Sequence, residues 1–474
     1  MTLHKLFHHA ACVLTLVALV SGWKPAFAAQ TVVVGTGNPD VDVPAVQAAV
    51  ERNRRCWRSG RRQHVRHHCV KRGTIPDKLE LCSGPFETGG YMAVVVGTNN
   101  PDVDVPAVQA AVNQPGDVIL EGHFSFNRPP TIPTALAGYP LATVLVSKAV
   151  TISGAQNARI EGGSIPFYVE APGASVTIQG LRFITPAARA IVVYAVNGLI
   201  IANCKIEGVV PVLPLGNSGI DIDTTGTVPT LANPGHPENI FGRLLVTHNE
   251  IDVVGGTSAD NTLGIVVFSV GQSPDKEADI YVVGNKIRNT TQTAINFRRI
   301  GGRAFVEGNE IVTGPVSGPS SPPEVIRAVN TGSYVIAHNT IQCEWPDPQA
   351  IGIGVFSQIA SWPMEQAVVA DNSVTMSPSP GVSFGVLSAG IDVRGFASEN
   401  VVAHNRIRGR ARAALAIDPF KGGNPGNNTF IHNQLDNFEA SIADVFIGEG
   451  VTDTLLLGQA GTIEDDGVNT VIVP

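Results

Sequence analysis

The stretch GIDID places Asp221 and Asp223 two residues apart, so on an extended strand both carboxylates leave the same face. Paired carboxylates divide acid and base roles in glycoside cleavage, or hold Ca2+ together with loop carbonyls. Further along, AINFR carries Asn296 and Arg298, and GIDVR carries Asp392 and Arg394. A guanidinium neutralises a uronate carboxylate while a base removes the adjacent carbon-bound proton. Aromatic rings such as Tyr194, Phe268 and Phe356 suit sugar faces. The candidates are therefore Asp221, Asp223 and Arg298 for catalysis, with Tyr194, Phe268, Asn296, Phe356, Asp392 and Arg394 for saccharide binding. The pattern calls for no metal and no cofactor, Ca2+ being the one ion the two carboxylates would suit. The competing account makes these residues solvated charges, with Asp392 and Arg394 a surface ion pair of little worth.

A repeat positions them. AIVVY (190–194), GIDID (219–223), GIVVF (264–268), AINFR (294–298), VIRAV (325–329), GIGVF (352–356), GIDVR (390–394) and ALAID (414–418) alternate as strands with one buried face do. Most precede a second template, aliphatic–x–x–Asn–x–Ile/Val, seen in LLVTHNEI, IYVVGNKI, AFVEGNEI, YVIAHNTI, AVVADNSV and VVAHNRI. LIIANCKI fits it with Cys204 at the Asn position. Template positions 204, 249, 285, 309, 339, 372, 405 and 433 stand 45, 36, 24, 30, 33, 33 and 28 residues apart. The shortest repeat, 24 residues, is too small for a four-stranded propeller blade but sufficient for one coil of a parallel β-helix. Stacked coils bring equivalent side chains ~4.8 Å apart, so each Asn amide can donate to one neighbour and accept from the other. His248, His338, His404 and His432 each precede a template Asn, which marks them as a structural column. The expected fold is all-β, a right-handed parallel β-helix with a short N-terminal capping helix. The columns 192, 221, 266, 296, 327, 354, 392, 416 and 194, 223, 268, 298, 329, 356, 394, 418 are expected on its exposed outer face, with the insertions 207–218, 224–243 and 313–324 as walls of a groove.

These N-x-I coils resemble the repeats of the pectin lyase-like superfamily, and DVPAVQAAVNQPGDVILEGHFSF (104–126) resembles that family's entry, a short amphipathic helix followed by the first strand. Val108, Ala111 and Val112 form the helix's apolar face, with Pro106 near its first turn. The resemblance covers residues 94–474. It implies the fold rather than one activity, because the superfamily holds lyases, hydrolases, epimerases and non-catalytic adhesins. The signatures G-H-G, R-I-K, D-P-H-D and W-I-D-H of its enzymes are absent from the sequence. The functional expectation is an exported β-helix that binds or cleaves an acidic polysaccharide, as a lyase or glycoside hydrolase if it is an enzyme. The alternative is a non-catalytic surface or envelope solenoid for adhesion or scaffolding.

Composition agrees with many short strands joined by turns: 50 Gly, 33 Pro and only 15% charged residues in 474. A net charge of −8 argues against a nucleic-acid surface. Residues 1–28 read as a secretory signal, with the apolar run ACVLTLVALV and cleavage after Ala28. No later run is long enough to span a bilayer, so the product is expected to be secreted or periplasmic. Residues 32–50 and 94–112 are the same sequence except for Gly37 against Asn99. Only the second copy runs on into a strand. The first runs into an Arg-rich stretch containing Cys56, Cys69, Cys82, His64, His67 and His68, which lacks the close C-x2-4-C pair of structural zinc sites. Residues 29–93 therefore read as a duplicated, poorly ordered extension, and 94–474 as the β-helix domain. Deleting 29–93 is expected to leave the melting temperature, followed by circular dichroism, nearly unchanged.

Overall fold

The computed structural model describes residues 91–136, 141–155, 157–210, 217–253, 261–271, 275–317, 322–378 and 380–474. Residues 1–28, read from sequence as a signal peptide, and residues 29–90 of the expected extension lie outside the described residues. The strand Tyr91–Thr98 pairs in parallel with Gly116–Ser125, so a deletion ending at residue 93 would remove the first three residues of that strand.

Between these two strands runs the capping helix Pro101–Val112. Asn100 begins it, its side chain accepting the Asp102 N–H, and Pro101 takes the first helical position. Pro106 consequently falls inside the helix rather than near its first turn. Asp104 is buried and accepts from Thr98 N, Thr98 Oγ1 and Ser125 N, each at 2.8 Å. One carboxylate thus ties the strand before the helix to the strand after it. Val105, Val108, Ala111 and Val112 are buried and join the apolar core.

Beyond the cap the chain forms a parallel β-helix, with the right-handed sense that strand–crossover–strand connections adopt. A coil contributes three strands, one more than the two templates required. In one coil these are Asn217–Asp223, Ile240–Thr247 and Glu250–Asp252. They pair with Thr262–Val270, Ala278–Val283 and Lys286–Arg288 of the next coil, and the pattern continues through three stacked sheets. Aliphatic side chains fill the tube, including the file Ile206, Ile251, Ile287, Ile311, Ile341, Val374 and Ile407.

The template Asn residues occupy the corner between the second and third sheets. Asn249 donates both its backbone N–H and one Nδ2 hydrogen to Oδ1 of Asn285, each at 3.0 Å, and the other Nδ2 hydrogen to the Ile201 carbonyl. Asn285 repeats the arrangement toward Asn309, as do Asn309 toward Asn339, Asn339 toward Asn372, Asn372 toward Asn405 and Asn405 toward Asn433. All seven Asn side chains are buried. Cys204 opens the ladder by donating its N–H to Asn249, and Gln459 closes it against Asn433. The residue before each Asn turns the corner with φ near +55°: His248 (54°), His338 (56°), Asp371 (55°) and His404 (57°). His and Asp are among the few non-glycine residues enriched in that conformation, and Gly284 and Gly308 fill it elsewhere. This accounts for the histidine column.

A second, shorter ladder joins Ala367, Asn400 and Asn428 at another corner, again after left-handed residues Gln366, Glu399 and Asn427.

Replacing Asn309 by Ala strands the Asn285 N–H and amide inside the protein. It should cost about 3 kcal/mol in urea unfolding. His338→Gly keeps the corner and should change stability by less than about 0.5 kcal/mol.

Candidate functional site

The two expected outer columns do leave the core, but they are not exposed. Val192, Asp221, Val266, Asn296, Arg327, Asp392 and Ala416 are buried, and so are Asp223, Phe268, Val329, Phe356, Arg394 and Asp418. Only Tyr194 and Arg298 are half-buried. The physical reason is that described connecting segments, among them those bearing Leu136, Pro322 and Phe420, lie across the first sheet as a roof. Leu136, Ala142 and Ile165 pack on Tyr168 and Val192. Phe420 meets Phe356 edge-on at 5.9 Å, and the Arg327 guanidinium donates to the Pro322 carbonyl at 2.8 Å.

Under this roof the charges are arranged as a balanced network toward the C-terminal coils. Glu324 accepts from both Arg327 and Arg394, Arg394 also donates to Asp392 at 2.6 Å, and Arg412 pairs with Asp418. Glu324 reaches Arg394 across Gly354, where an added Cβ would stand 3.1 Å from the Glu324 carboxyl carbon. The missing side chain is what admits the carboxylate between two guanidinium groups. Arg394 lies 4.2 Å from the Phe356 ring centre and 4.9 Å from that of Phe420, while Arg412 lies 4.3 Å from that of Phe446. Asp392 and Arg394 are thus a buried structural pair instead of the surface pair weighed from sequence. Burial, opposed by Arg394 and reinforced by Asp418 and Glu324, pushes the Asp392 carboxyl up to about 7.

Asp221 and Asp223 are brought together as the spacing requires. Asp221 accepts from Arg189 Nε at 2.7 Å. Asp223 closes a turn: it accepts from Thr225 N at 2.6 Å, Thr225 Oγ1 at 2.7 Å and Gly226 N at 3.0 Å. Burial, then the neighbouring Asp221 charge, pushes Asp223 up to about 8, against the pull of the Thr225 hydrogen bonds and Arg189.

Arg298, unlike Arg327 and Arg394 in the same columns, makes no ion pair with a described residue. Its contact is the Phe268 ring, 5.7 Å from ring centre to guanidinium carbon, and its Nε is buried without a hydrogen-bond partner. Asn296, two residues earlier on the same face, has its Oδ1 in the same condition. Burial, then the Arg327 charge, holds Arg298 down at about 9, still cationic at neutral pH. The structure therefore groups Phe268, Asn296 and Arg298, with Asp221 and Asp223 on the coil before Phe268 and Asp223 beside it in register. Phe356, Asp392 and Arg394 fall within the balanced network, several coils away from Asp221.

Sequence reading missed Arg189, Glu324 and Arg412 as partners. Gly354, a glycine within a column of long side chains, was the available signal for Glu324. Among the described residues no group of three His, Cys, Asp or Glu side chains is placed to hold a metal ion, and no helix is long and apolar enough to cross a membrane.

No family model matches the chain, and no curated protein matches it. Among solved structures it is similar to the crystal structure of PfbA, a surface adhesin of Streptococcus pneumoniae. The identity is 13%, over 74% of this chain and 91% of that one, with a TM-score of 0.48. A second structure of that surface protein and adhesin aligns at 11% identity over 78% and 95% of the two chains, with a TM-score of 0.37.

The raised carboxyls have a measurable consequence. An Asp whose folded pKa lies above its unfolded value binds more protons when folded, so stability falls as pH rises between the two values. Asp223 and Asp392 both act in this sense. The urea midpoint should decline from pH 5 to pH 9, and Asp223→Asn should flatten that decline.

Proposed function

We propose that this chain is an exported β-helix protein that binds an anionic glycan without cleaving it. The observation that carries the reading is the contrast between Arg298 and its surroundings. Asp392, Arg394, Arg327 and Arg412 are engaged in ion pairs, whereas the Arg298 guanidinium lies half-buried against Phe268 beside the unpartnered Asn296 Oδ1. A half-buried guanidinium fork suits a carboxylate or sulfate, and the buried Phe268 ring packs against that guanidinium without itself facing solvent. The resemblance of the coils to pectin lyase-like repeats supports a saccharide ligand, and the N-terminal sequence supports export. Cleavage is disfavoured because Asp221 and Asp223 are buried, one paired with Arg189 and the other closing a turn.

One observation favours a catalytic second reading: Asp223, held near 8 beside Asp221, keeps a proton at neutral pH as a general acid must.

A panel of neutral, uronate-rich and sulfated polysaccharides separates the two. Affinity electrophoresis should show retardation by the acidic members only, weakened at least tenfold in Arg298→Ala, with neither reducing ends nor unsaturated uronate released. Product that disappears in Asp223→Asn would establish the catalytic reading, and unchanged affinity in Arg298→Ala would remove the site.

A further inference from the structure

Two consecutive arginines break the alternation of the first sheet. On a regular strand Arg298 and Arg299 would leave opposite faces, and one of them would enter the core. Arg299 instead has φ 59°, so the chain turns there; Arg298 and Arg299 are both half-buried, and the apolar filling resumes at Ile300. The turn belongs to this corner of the coil. Phe268, Arg298 and Val329 are in register, and the residues that follow the first and last of them, Ser269 (50°) and Asn330 (63°), are left-handed as well. A long cationic side chain is a poor choice for that conformation, which Gly, Asn and Asp adopt more readily. A residue kept against such a preference points to a use for its side chain.

Two contacts fix that side chain. The Arg299 guanidinium lies over the Trp362 ring, 4.4 Å from guanidinium carbon to ring centre, and its Nη1 donates to the Pro234 carbonyl. The segment bearing Pro234 is itself strapped to the corner: the His236 N–H donates to Thr224 Oγ1, whose hydroxyl donates to the Ser269 carbonyl. Arg299 Nε is buried without a hydrogen-bond partner. Burial holds Arg299 below the ordinary arginine value, opposed by the Glu238 charge. Glu238 does not pair with it, standing 3.5 Å from His236 Nδ1. The carboxylate whose charge acts on Arg298 is a different one, Glu324, so the two guanidinium groups occupy separate surroundings.

We propose that Arg299 is a second anion-binding residue beside Arg298, and that the ligand is a glycan bearing carboxylate or sulfate groups on more than one sugar. The inference rests on the reading of Arg298 as an anionic-glycan site. Each guanidinium lacks a carboxylate partner of its own among the described residues, and each takes one anion. The indole beneath Arg299 and the Pro234 carbonyl at its edge hold the planar fork in place before a ligand arrives, so little freedom is lost on binding. Glycans with a single charge engage one fork and leave the other empty.

Isothermal titration of the full chain with galacturonate and with its linear tetramer, at low and high salt, tests the second cation. The wild type should bind the tetramer at least tenfold more tightly than the monomer. Arg299→Gly keeps the left-handed corner and removes the charge. It should lose most of that gain, leave the affinity for the monomer within twofold, and make tetramer binding less sensitive to salt. A wild type with no preference for the tetramer would overturn the proposal, as would unchanged tetramer binding in Arg299→Gly. An equal loss for monomer and tetramer would also overturn it, since that marks a loosened loop and not a missing anion site. Arg298→Ala should weaken both ligands; wild-type affinity for both in that variant would remove the Arg298 site itself, whatever Arg299 does.

Discussion

The structure depends on one buried polar interaction repeated coil after coil. An Asn side chain inside a protein has two donors and an acceptor to satisfy, and leaving a buried polar group unpaired costs about 1–3 kcal/mol. A single Asn at such a corner would be a liability. Stacked in register, each one meets the needs of its neighbour: Oδ1 of Asn339 receives the N–H and amide of Asn309, whose remaining hydrogen goes to the Val282 carbonyl. A slip of one residue would bury the wrong side-chain set and strand every amide at once. The ladder thus fixes register where aliphatic packing alone would tolerate several alignments.

The rigid tube allows the rest of the chain to vary. Insertions of different length leave the ladder untouched, since they leave the coil at other corners. They fold across the first sheet and remove its charges from water, which requires those charges to be neutralised locally. Glu324, reaching over Gly354 between Arg327 and Arg394, is the clearest case. A buried network of this kind adds little net stability over an apolar one, but breaking one member leaves an uncompensated charge. Arg298 stands outside that balance, which is why it, and not the more numerous paired residues, marks the candidate site.

Much of the fold was legible because its constraint is local in sequence: Asn, then one residue, then Ile or Val, with the aliphatic strand just before. The left-handed conformation explains why His, Asp and Gly alternate at the preceding position. The shorter ladder at Asn400 and Asn428 obeys the same rule but was passed over, because only two coils carry its Asn. The candidate site was legible in its residue types and not in its exposure. Strand alternation tells which side chains leave the core; it is silent on whether a loop dozens of residues distant, such as the one bearing Phe420, comes back over them. For the same reason Asp221 could be matched with Asp223 from spacing, while its partner Arg189, 32 residues earlier, could not.

The most direct measurement is native-state hydrogen exchange resolved to the backbone amides of Asn249, Asn285, Asn309, Asn339, Asn372 and Asn405. If the ladder is the element that sets register, these corner amides should exchange only through global unfolding, as slowly as the central strands beside them. Exchange at the rate of ordinary surface turns, with the strands still protected, would show that the coils are aligned by their apolar filling and that the amides merely accompany it.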